Sequence, residues 1–255
     1  MQQYFAKDKN LTLDSTDYHH IKNVMRMKKN DIIKIVYDNI IYDCIITSLS
    51  PEVKYEVISK KERKNNSVKI TVCFSLIKEQ KLDYLIQKAT ELGVDELIPC
   101  ITKRSVVKID NKKKKVKYDR WNKICKEASE QSFRSDIPKI SEIISLKDVI
   151  KLDYDLKLLC SLNKSSKNIK KVLQKNSKCD KIILVFGPEG GFEKEEESYL
   201  IKNDFKSVSL GDNVLRAETA VSCALSMIKY ELMRWVVWKN CLHQYRIHLV
   251  IFMTI

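Results

Sequence analysis

The chain has 255 residues, which is enough for one large or two small domains with a substantial hydrophobic core. Its formal net charge of +14 favours a polyanionic partner, either nucleic acid or an anionic membrane surface, although lysine-rich composition can also give a solvated surface without a partner. The eight cysteines are dispersed, without CxxC pairs or Cys/His clusters at metal spacing; this excludes a disulfide scaffold or zinc framework and indicates reduced thiols in a cytoplasmic protein.

The amino-terminal segment is predicted to be rich in short strands. Its start is polar and lacks an apolar signal segment, and residues 17–27 predict a short helix. Three strands are predicted, at residues 32–37, 40–46 and 55–58. Asp38 and Asn39, between the first two, suit a tight hairpin turn. Several short strands close together predict a small β-barrel.

A stretch without apolar residues, 60–67, predicts an exposed linker. We therefore expect one domain over residues 1–66 and a second over residues 67–233. Residues 234–255 are apolar but interrupted by basic side chains, so they do not predict a membrane span. We expect this tail to pack poorly or to be disordered.

Strand and helix signals alternate in the second domain. Strands are predicted at residues 68–76, 95–100, 156–162, 181–186 and 208–210, and helices at residues 81–92, 118–131, 169–176 and 221–233. Such alternation is typical of an α/β domain, with a parallel sheet and helices on both faces.

A basic run, residues 111–117, lies between two of these predicted elements. It has two interpretations that the residues do not separate. It is either a solvated loop or a contact to phosphate groups, whose strength would fall as salt rises.

The chain's glycines are concentrated after one buried strand. A branched apolar run ends at Phe186 and is followed by Gly187, Pro188, Glu189, Gly190 and Gly191. Three of the chain's five glycines lie in this turn, and an acidic segment that suits a helix start comes next. The glycines either only turn the chain or let a ligand approach the backbone at the carboxyl end of the strand. A phosphate-binding loop is disfavoured, because no GxGxxG or Gly-Lys-Ser/Thr pattern is present.

A second loop reinforces the first. A short strand over residues 208–210 is followed by residues 211–220, which run into an apolar helix. Two strand–loop–helix units in succession place two loops at one edge of the sheet. The sequence therefore predicts a cleft lined by main-chain donors and acceptors.

These two loops also carry a family resemblance. Residues 187–192 and 210–220 resemble the two signature loops of the SPOUT methyltransferases, and within them the RsmE family of bacterial 16S ribosomal RNA uracil-N3 methyltransferases. The segments 20–31, 78–94, 99–105 and 127–138 resemble further blocks of that family. Together the resemblance spans roughly residues 18 to 233.

The resemblance implies a fold and an activity. The expected fold is a PUA-like RNA-binding β-barrel followed by a SPOUT-type parallel sheet with a carboxy-terminal trefoil knot, an exception to the usual unknotted topology. The expected activity is transfer of a methyl group from S-adenosylmethionine to uracil N3 in 16S rRNA of the small ribosomal subunit. A cytoplasmic homodimer without metal or membrane attachment is also implied. The alternative is an RNA-binding ribosome-assembly factor without methyltransferase activity.

The resemblance also assigns candidate site residues. The cofactor would contact Leu162, Phe186, Gly187, Glu189, Gly190, Gly191, Leu210, Gly211, Val214, Leu215 and Thr219. RNA would contact His20, Arg26, Lys78 and Arg134. Because uracil N3 is a poor nucleophile until its proton leaves, Arg104 and Arg216 would favour the anion, and Glu218 or Glu189 would orient them or accept the proton. Alternatively, Arg216 pairs with Glu189, and Glu218 caps the final helix.

Two positions depart from the family pattern. Gln2 and Gln3 stand near a position where the family usually has an arginine, and Asn213 stands at another. If those arginines contact RNA elsewhere, this chain must use other groups.

Overall fold

The computed structural model describes residues 1–62, 68–105, 107, 110–163 and 165–232. The predicted tail, 234–255, lies outside the described residues, as do positions 63–66 of the predicted linker and Ser67. The domain bounds remain predictions.

The amino-terminal part is a four-stranded sheet with one short helical segment. Its elements are β1 (Gln2–Phe5), α1 (Ser15–His19), a π-helical turn (His20–Val24), β2 (Ile32–Tyr37), β3 (Ile40–Ser48) and β4 (Lys54–Glu62). The strand order is β1-β2-β3-β4, with β1 parallel to β2 and the other pairs antiparallel. Asp38 and Asn39 both have positive φ, 48° and 61°, as a tight hairpin turn requires, so the predicted hairpin is confirmed.

This sheet differs from the sequence prediction in two respects. Among the described residues no pairing joins β1 to β4, so backbone hydrogen bonds between these two strands do not close the predicted small barrel there. Residues 60–62, predicted as linker, continue β4, where they pair with the start of β3. Their charged side chains are exposed, which is why their composition resembles that of a linker.

The second part is a parallel α/β sheet, as predicted. Its elements are β5 (Lys69–Ser75), α2 (Glu79–Glu91), β6 (Glu96–Ile101), α3 (Asn111–Gln131), β7 (Lys139–Ile140), β8 (Ile144–Ser145), α4 (Leu146–Val149), β9 (Leu156–Cys160), β10 (Lys167–Asn168), α5 (Ile169–Lys175), β11 (Lys181–Phe186), α6 (Lys194–Lys202), β12 (Lys206–Ser209) and α7 (Ala217–Leu232). The order is β10-β12-β9-β11-β5-β6-β7, with β8 beside β6, and every pairing is parallel.

The central strand β11 shows why the sheet is buried on both faces. Ile182, Leu184 and Phe186 point into a core that also contains side chains of α2, α3, α5 and α7. Ile183 and Val185 point into a second core on the other face, beneath α6. Because both faces are covered, the strand is apolar at nearly every position.

The basic run is not a loop. Residues 111–117 form the first two turns of α3, and the Asp110 carboxylate caps this helix by accepting a hydrogen bond from the Lys112 backbone N–H at 3.2 Å. Lysine has a good intrinsic helix propensity, so a cap is enough to start the helix.

The last helix, α7, packs its apolar side against the core. Val221, Ala224, Leu225 and Ile228 are buried there. Its exposed positions carry Thr219, Ser226 and Tyr230 instead. None of the helices in the described part of the chain combines the length and apolar content needed to cross a lipid bilayer.

Polar contacts join the two parts. The buried Gln3 side chain donates from Nε2 to the Arg134 carbonyl oxygen at 2.6 Å. Lys126 on α3 donates from Nζ to both carboxylate oxygens of Asp17, each at 2.9 Å. The amino-terminal sheet is therefore held against the carboxyl half of α3.

Candidate active site

Three loops meet at the carboxyl edge of the parallel sheet. They follow β9, β11 and β12, and β9 lies between the other two strands. Together they enclose a cavity of about 410 Å³. The residues that line it are Arg104, Cys160, Ser161, Leu162, 186–192, Glu197, 209–211 and 213–217, with Ala220. The two glycine-bearing turns therefore share one pocket, as the sequence predicts, although a third strand separates the strands that carry them.

The turn after β11 depends on glycine at two points. The Gly191 N–H donates to the Pro188 carbonyl at 2.9 Å, and Gly191 has a φ of +67°, which L-residues with a side chain adopt only with strain. A Cβ at Gly187 would lie 3.1 Å from the Phe192 ring. The glycines therefore let this turn close tightly and keep its backbone next to the cavity.

Arg104, from the loop after β6, braces this turn. Its Nη1 donates to the Gly190 carbonyl oxygen at 2.7 Å, and its Nε donates to the Glu193 carboxylate at 2.8 Å. The guanidinium lowers the pKa of Glu193, so that carboxylate stays ionised. Since both contacts tie the guanidinium to the protein, Arg104 fixes the shape of the cavity wall.

The start of α6 is anchored to the same loop. The buried Glu196 carboxylate accepts hydrogen bonds from the Lys103 backbone N–H at 2.7 Å and the Glu193 backbone N–H at 2.9 Å. The second bond belongs to a capping box at the amino terminus of α6. The acidic segment thus begins the helix, as predicted, and also connects it to the β6 loop.

The loop after β9 forms another part of the cavity wall. The Ser161 hydroxyl donates to Glu197 Oε1 at 2.6 Å and accepts from the Asn163 backbone N–H at 3.1 Å. Next to it, the Leu162 side chain lines the cavity while 69% exposed, and Val214 on the loop after β12 is 77% exposed. Two separate loops therefore present uncovered apolar surface to one cavity.

Arg216 lines the cavity and, within the described part of the chain, makes no side-chain ion pair or hydrogen bond. The alternative that Arg216 pairs with Glu189 is not what the structure contains, because Glu189 pairs with Lys81 at 2.9 Å. Burial opposes the ionisation of Glu189, but the Lys81 ammonium, the backbone hydrogen bond and the Lys78 charge together outweigh it and keep the pKa of Glu189 below its ordinary value. Arg216 is therefore available to a ligand.

The cavity includes most of the predicted cofactor residues and omits some predicted site residues. Ten of the eleven residues predicted to contact the cofactor line it; the exception is Thr219, which is exposed on α7. Arg104 and Arg216 line it, but Glu218 does not. Glu218 Oε2 is buried without a hydrogen-bond partner among the described residues. A direct role for Glu218 at the cavity is therefore unsupported.

The predicted RNA contacts are spread over both parts of the protein. Arg26 and Lys78 are exposed, whereas His20 is half-buried and its Nδ1 lies 3.0 Å from the Tyr4 hydroxyl. Arg134 does not fit the prediction. It is 8% exposed, and its guanidinium donates to the Thr90 carbonyl and the Asp136 carboxylate, both at 2.7 Å. These contacts make Arg134 a structural residue that ties the end of α2 to the segment after α3.

Ser161 and Glu197 are among the polar residues of the cavity that sequence reasoning missed. A signal was present, because Ser161 directly follows an apolar strand, where ligand-binding residues of α/β sheets collect. Glu197 could not be found in this way, since its contact with Ser161 spans 36 positions of sequence.

The chain matches family models and known proteins. The RNA methyltransferase domain matches residues 64–229, and the RNA methyltransferase PUA domain matches residues 13–54. The ribosomal RNA small subunit methyltransferase E of Bacillus subtilis is 36% identical over 249 residues, covering 91% of this chain and 97% of that protein. The protein of the same name from Mesomycoplasma hyopneumoniae is 33% identical, covering 86% and 95%.

Solved structures agree. A putative methyltransferase of Legionella pneumophila, in complex with the cofactor SAM, is 28% identical with a TM-score of 0.79, covering 89% of this chain and 96% of that one. The ribosomal RNA small subunit methyltransferase E of Neisseria gonorrhoeae, bound to S-adenosyl methionine, is 25% identical with a TM-score of 0.79, covering 90% and 97%. The chain therefore belongs to the RsmE family of ribosomal RNA small subunit methyltransferases.

Proposed function

We propose that this protein transfers a methyl group from S-adenosylmethionine to N3 of a uridine in 16S rRNA of the small ribosomal subunit. The observation that carries the proposal is the single cavity built by the loops after β9, β11 and β12, with the unpaired Arg216 on its wall. The relatives' names support the ribosomal substrate, and the two SAM-bound structures support the cofactor. The choice of uracil N3 rests on the family resemblance.

The residues present fit S-adenosylmethionine. A volume of about 410 Å³ lies within the range of small-molecule sites. The exposed apolar side chains of Leu162 and Val214 suit the faces of an adenine ring, and the glycine turn offers backbone groups for its edge. Glu189 and Glu197 place carboxylates at the wall, which favours a positively charged sulfonium. The sulfonium supplies an electrophilic methyl group and needs no metal.

The protein's own side chains must position and activate the uracil base. They must hold the base in line with the methyl group and favour its N3 anion. Arg216 is placed to stabilise negative charge on the uracil oxygens, because its guanidinium has no carboxylate partner in the described structure. Arg104 positions the glycine turn through Gly190 and Glu193. We infer that Glu189, which lines the cavity, is better placed than Glu218 to receive the N3 proton.

Three further properties belong to this proposal: a trefoil knot, a homodimer and a cytoplasmic location. The strand order supports the knot, since β11 lies between β9 and β5 while β12 lies on the other side of β9. The dimer rests on the family resemblance alone, because α7 buries its apolar face within the protomer. Sedimentation velocity at working concentration tests the dimer, and a monomer would contradict it.

The activity is tested with purified protein, radiolabelled S-adenosylmethionine, and 16S rRNA or small subunits from cells that lack the gene. We expect label in the RNA, and mass mapping should locate it at N3 of one uridine. RNA binding with no label and no calorimetric signal for S-adenosylmethionine would instead favour the assembly-factor alternative. Label on another base or atom would refute the uracil-N3 assignment, but the assignment of methyltransferase activity would stand.

The role of Arg216 is tested with Arg216→Ala. Losing one donor to a developing negative charge typically lowers kcat by about 100-fold or more. We expect a loss of that order at saturating RNA, with the Kd for S-adenosylmethionine within about threefold of wild type, because the apolar and backbone wall is untouched. Arg216→Lys keeps the charge and should retain more activity. Near-normal turnover of Arg216→Ala with intact cofactor binding rejects the role.

A further inference from the structure

The amino-terminal turns of α3 extend past the start of its neighbour α2. Lys117 pairs with Glu79 in the first turn of α2, and Arg120 pairs with Asp83 one turn later. Both helices follow strands of a parallel sheet, so they run in the same direction and begin at the edge that carries the cavity. Six residues of α3, 111–116, precede the Lys117 contact. At 1.5 Å per residue they project about 9 Å beyond the first turn of α2.

This projecting end begins at the sheet edge that carries the cavity, and the segment that leads into it contributes to the cavity wall. Only residues 102–110 separate β6 from α3, and Arg104 in that connection lines the cavity. On the α2 side, Lys78 is exposed at the amino-terminal cap and Lys81 pairs with the cavity residue Glu189. Basic side chains are therefore present on both segments that border the end of α3 at this edge, although Arg104 and Lys81 are paired with glutamates.

Three exposed lysines on this end hold no other part of the fold in place through polar contacts. Lys112, Lys114 and Lys115 are exposed, and their side chains make no hydrogen bond or ion pair within the described part of the chain. The first turn of α3 contains no acidic residue. Cations at a helix amino terminus are opposed by the helix dipole and repel one another at i,i+3 spacing. Their helix propensity suits this position, but their charge does not.

We propose that these residues, the lysine end (Lys112, Lys114 and Lys115), bind phosphate groups of the substrate RNA that flank the target nucleotide. The proposal rests on the proposed function, because an rRNA substrate supplies the phosphates. It gives the catalytic domain its own RNA-holding surface, separate from the amino-terminal sheet. Phosphate contacts fix the position of the RNA and carry no sequence information, so the lysine end affects affinity and register and leaves the choice of base to the cavity.

The test compares two triple variants with the same change in charge. Lys112→Gln, Lys114→Gln and Lys115→Gln remove the lysine end while keeping good helix formers. The control combines Lys175→Gln, Lys178→Gln and Lys202→Gln. These three lysines are also exposed and, in the described structure, unpaired. They lie where α5 and α6 end, at the sheet edge opposite the cavity.

Two readouts are needed: the Kd for 16S rRNA by filter binding at several salt concentrations, and the methylation kinetics. For the lysine-end variant we expect roughly tenfold weaker binding at moderate salt, and a slope of log K against log salt that is shallower by about 2 to 3. Its KM for RNA should rise, while kcat at saturating RNA and the Kd for S-adenosylmethionine stay unchanged. The control triple should bind like wild type.

Equal RNA affinity and equal salt slope in the two triples would overturn the proposal, whether both match wild type or both are weakened. A drop in kcat at saturating RNA would also overturn it, since that would place the lysine end in the chemistry. If wild type transfers no methyl group, the proposed function fails. The filter-binding comparison still decides whether the lysine end holds RNA. Circular dichroism confirms that both triples keep their helices.

Discussion

At the scale of single residues, the cavity depends on side chains that hold backbone in place. Arg104 illustrates this, because its guanidinium bonds both to the Gly190 carbonyl and to Glu193. A Cβ at Gly190 would lie 3.5 Å from Arg104 Cδ, so the aliphatic part of the arginine side chain also runs close to the turn. The sequence pointed to Arg104 as a catalytic residue. The structure favours a positioning role, which no sequence pattern distinguishes from catalysis.

Arg104→Gln tests this role. Removing the guanidinium frees the glycine turn, so we expect the Kd for S-adenosylmethionine to rise roughly tenfold, the size expected for losing charge-assisted hydrogen bonds. Isothermal calorimetry measures it. Lys103→Gln is the matched control, because Lys103 and its partner Glu195 are both largely exposed and such pairs contribute little. Unchanged affinity in Arg104→Gln, with kcat lowered instead, would support catalysis over positioning.

At the scale of elements, the amino terminus of α6 connects helix formation to the site. Glu193 and Glu196 form the capping box, and Glu196 also holds the loop after β6 through the Lys103 N–H. The helix therefore cannot shift without moving the glycine turn that leads into it. This arrangement explains why an acidic cluster directly follows the glycines.

Glu196→Ala should destabilise the protein, because it leaves two backbone N–H groups without their acceptor. We expect a loss of about 2 kcal/mol and a Tm lower by roughly 5 °C. Thermal unfolding followed by circular dichroism measures this. Glu195→Gln, in the same turn but 73% exposed at its side chain, should leave Tm nearly unchanged. If the two variants unfold at the same temperature, the capping box does not stabilise this region.

Elements set by local pattern were predictable, and those set by distant partners were not. The prediction for β11, residues 181–186, matches the structure, because a run of five apolar residues ends directly at a glycine turn. The prediction missed β1, because half of Gln2–Phe5 is polar. Gln3 is buried against a partner 131 positions away, the Arg134 carbonyl, which accepts its side-chain hydrogen bond. The start of α3 was predicted as loop because its lysines give no apolar stripe. For the site, the glycine turns were visible in the sequence, whereas the Ser161–Glu197 contact was not.

At the scale of the whole molecule, the two parts meet at a partly buried ionisable cluster. Glu130 on α3 lies 3.6 Å from Lys126, which in turn bonds Asp17 of the amino-terminal part. Burial raises the pKa of Glu130 to about 7; Asp17 adds to this, and the Lys126 ammonium opposes it. The carboxyl therefore keeps its proton in the folded protein at a pH where an exposed glutamate is ionised.

This shift predicts a pH dependence of stability. Between about pH 4.5 and 7 the unfolded chain releases the Glu130 proton and the folded chain retains it, so the folded state loses relative stability as pH rises. Glu130→Gln cannot ionise. In urea titrations we measure the difference in free energy of unfolding between the variant and wild type. We expect this difference to shift in favour of the variant by up to about 3 kcal/mol as pH rises from about 4.5 to 8.

Glu127→Gln is the control for that titration, because Glu127 is 62% exposed on the same helix. It should follow the wild-type curve. A Glu130→Gln variant whose stability runs parallel to wild type across this range would show that Glu130 is already ionised in the folded protein.

The position of β9 between β11 and β12 has a consequence for the nascent chain. β5 cannot pair with β11 until residues 181–186 have been synthesised, because Lys181 pairs opposite Lys69. The pocket wall also needs Ala217 and Ala220, which come later in the chain. Pairings so far apart in sequence form slowly, and chains generally fold from their amino-terminal end during synthesis. A ribosome making this protein must therefore synthesise the chain at least as far as Ala220 before the protein can bind a cofactor. Truncated translation products should consequently be inactive even when their amino-terminal sheet has folded.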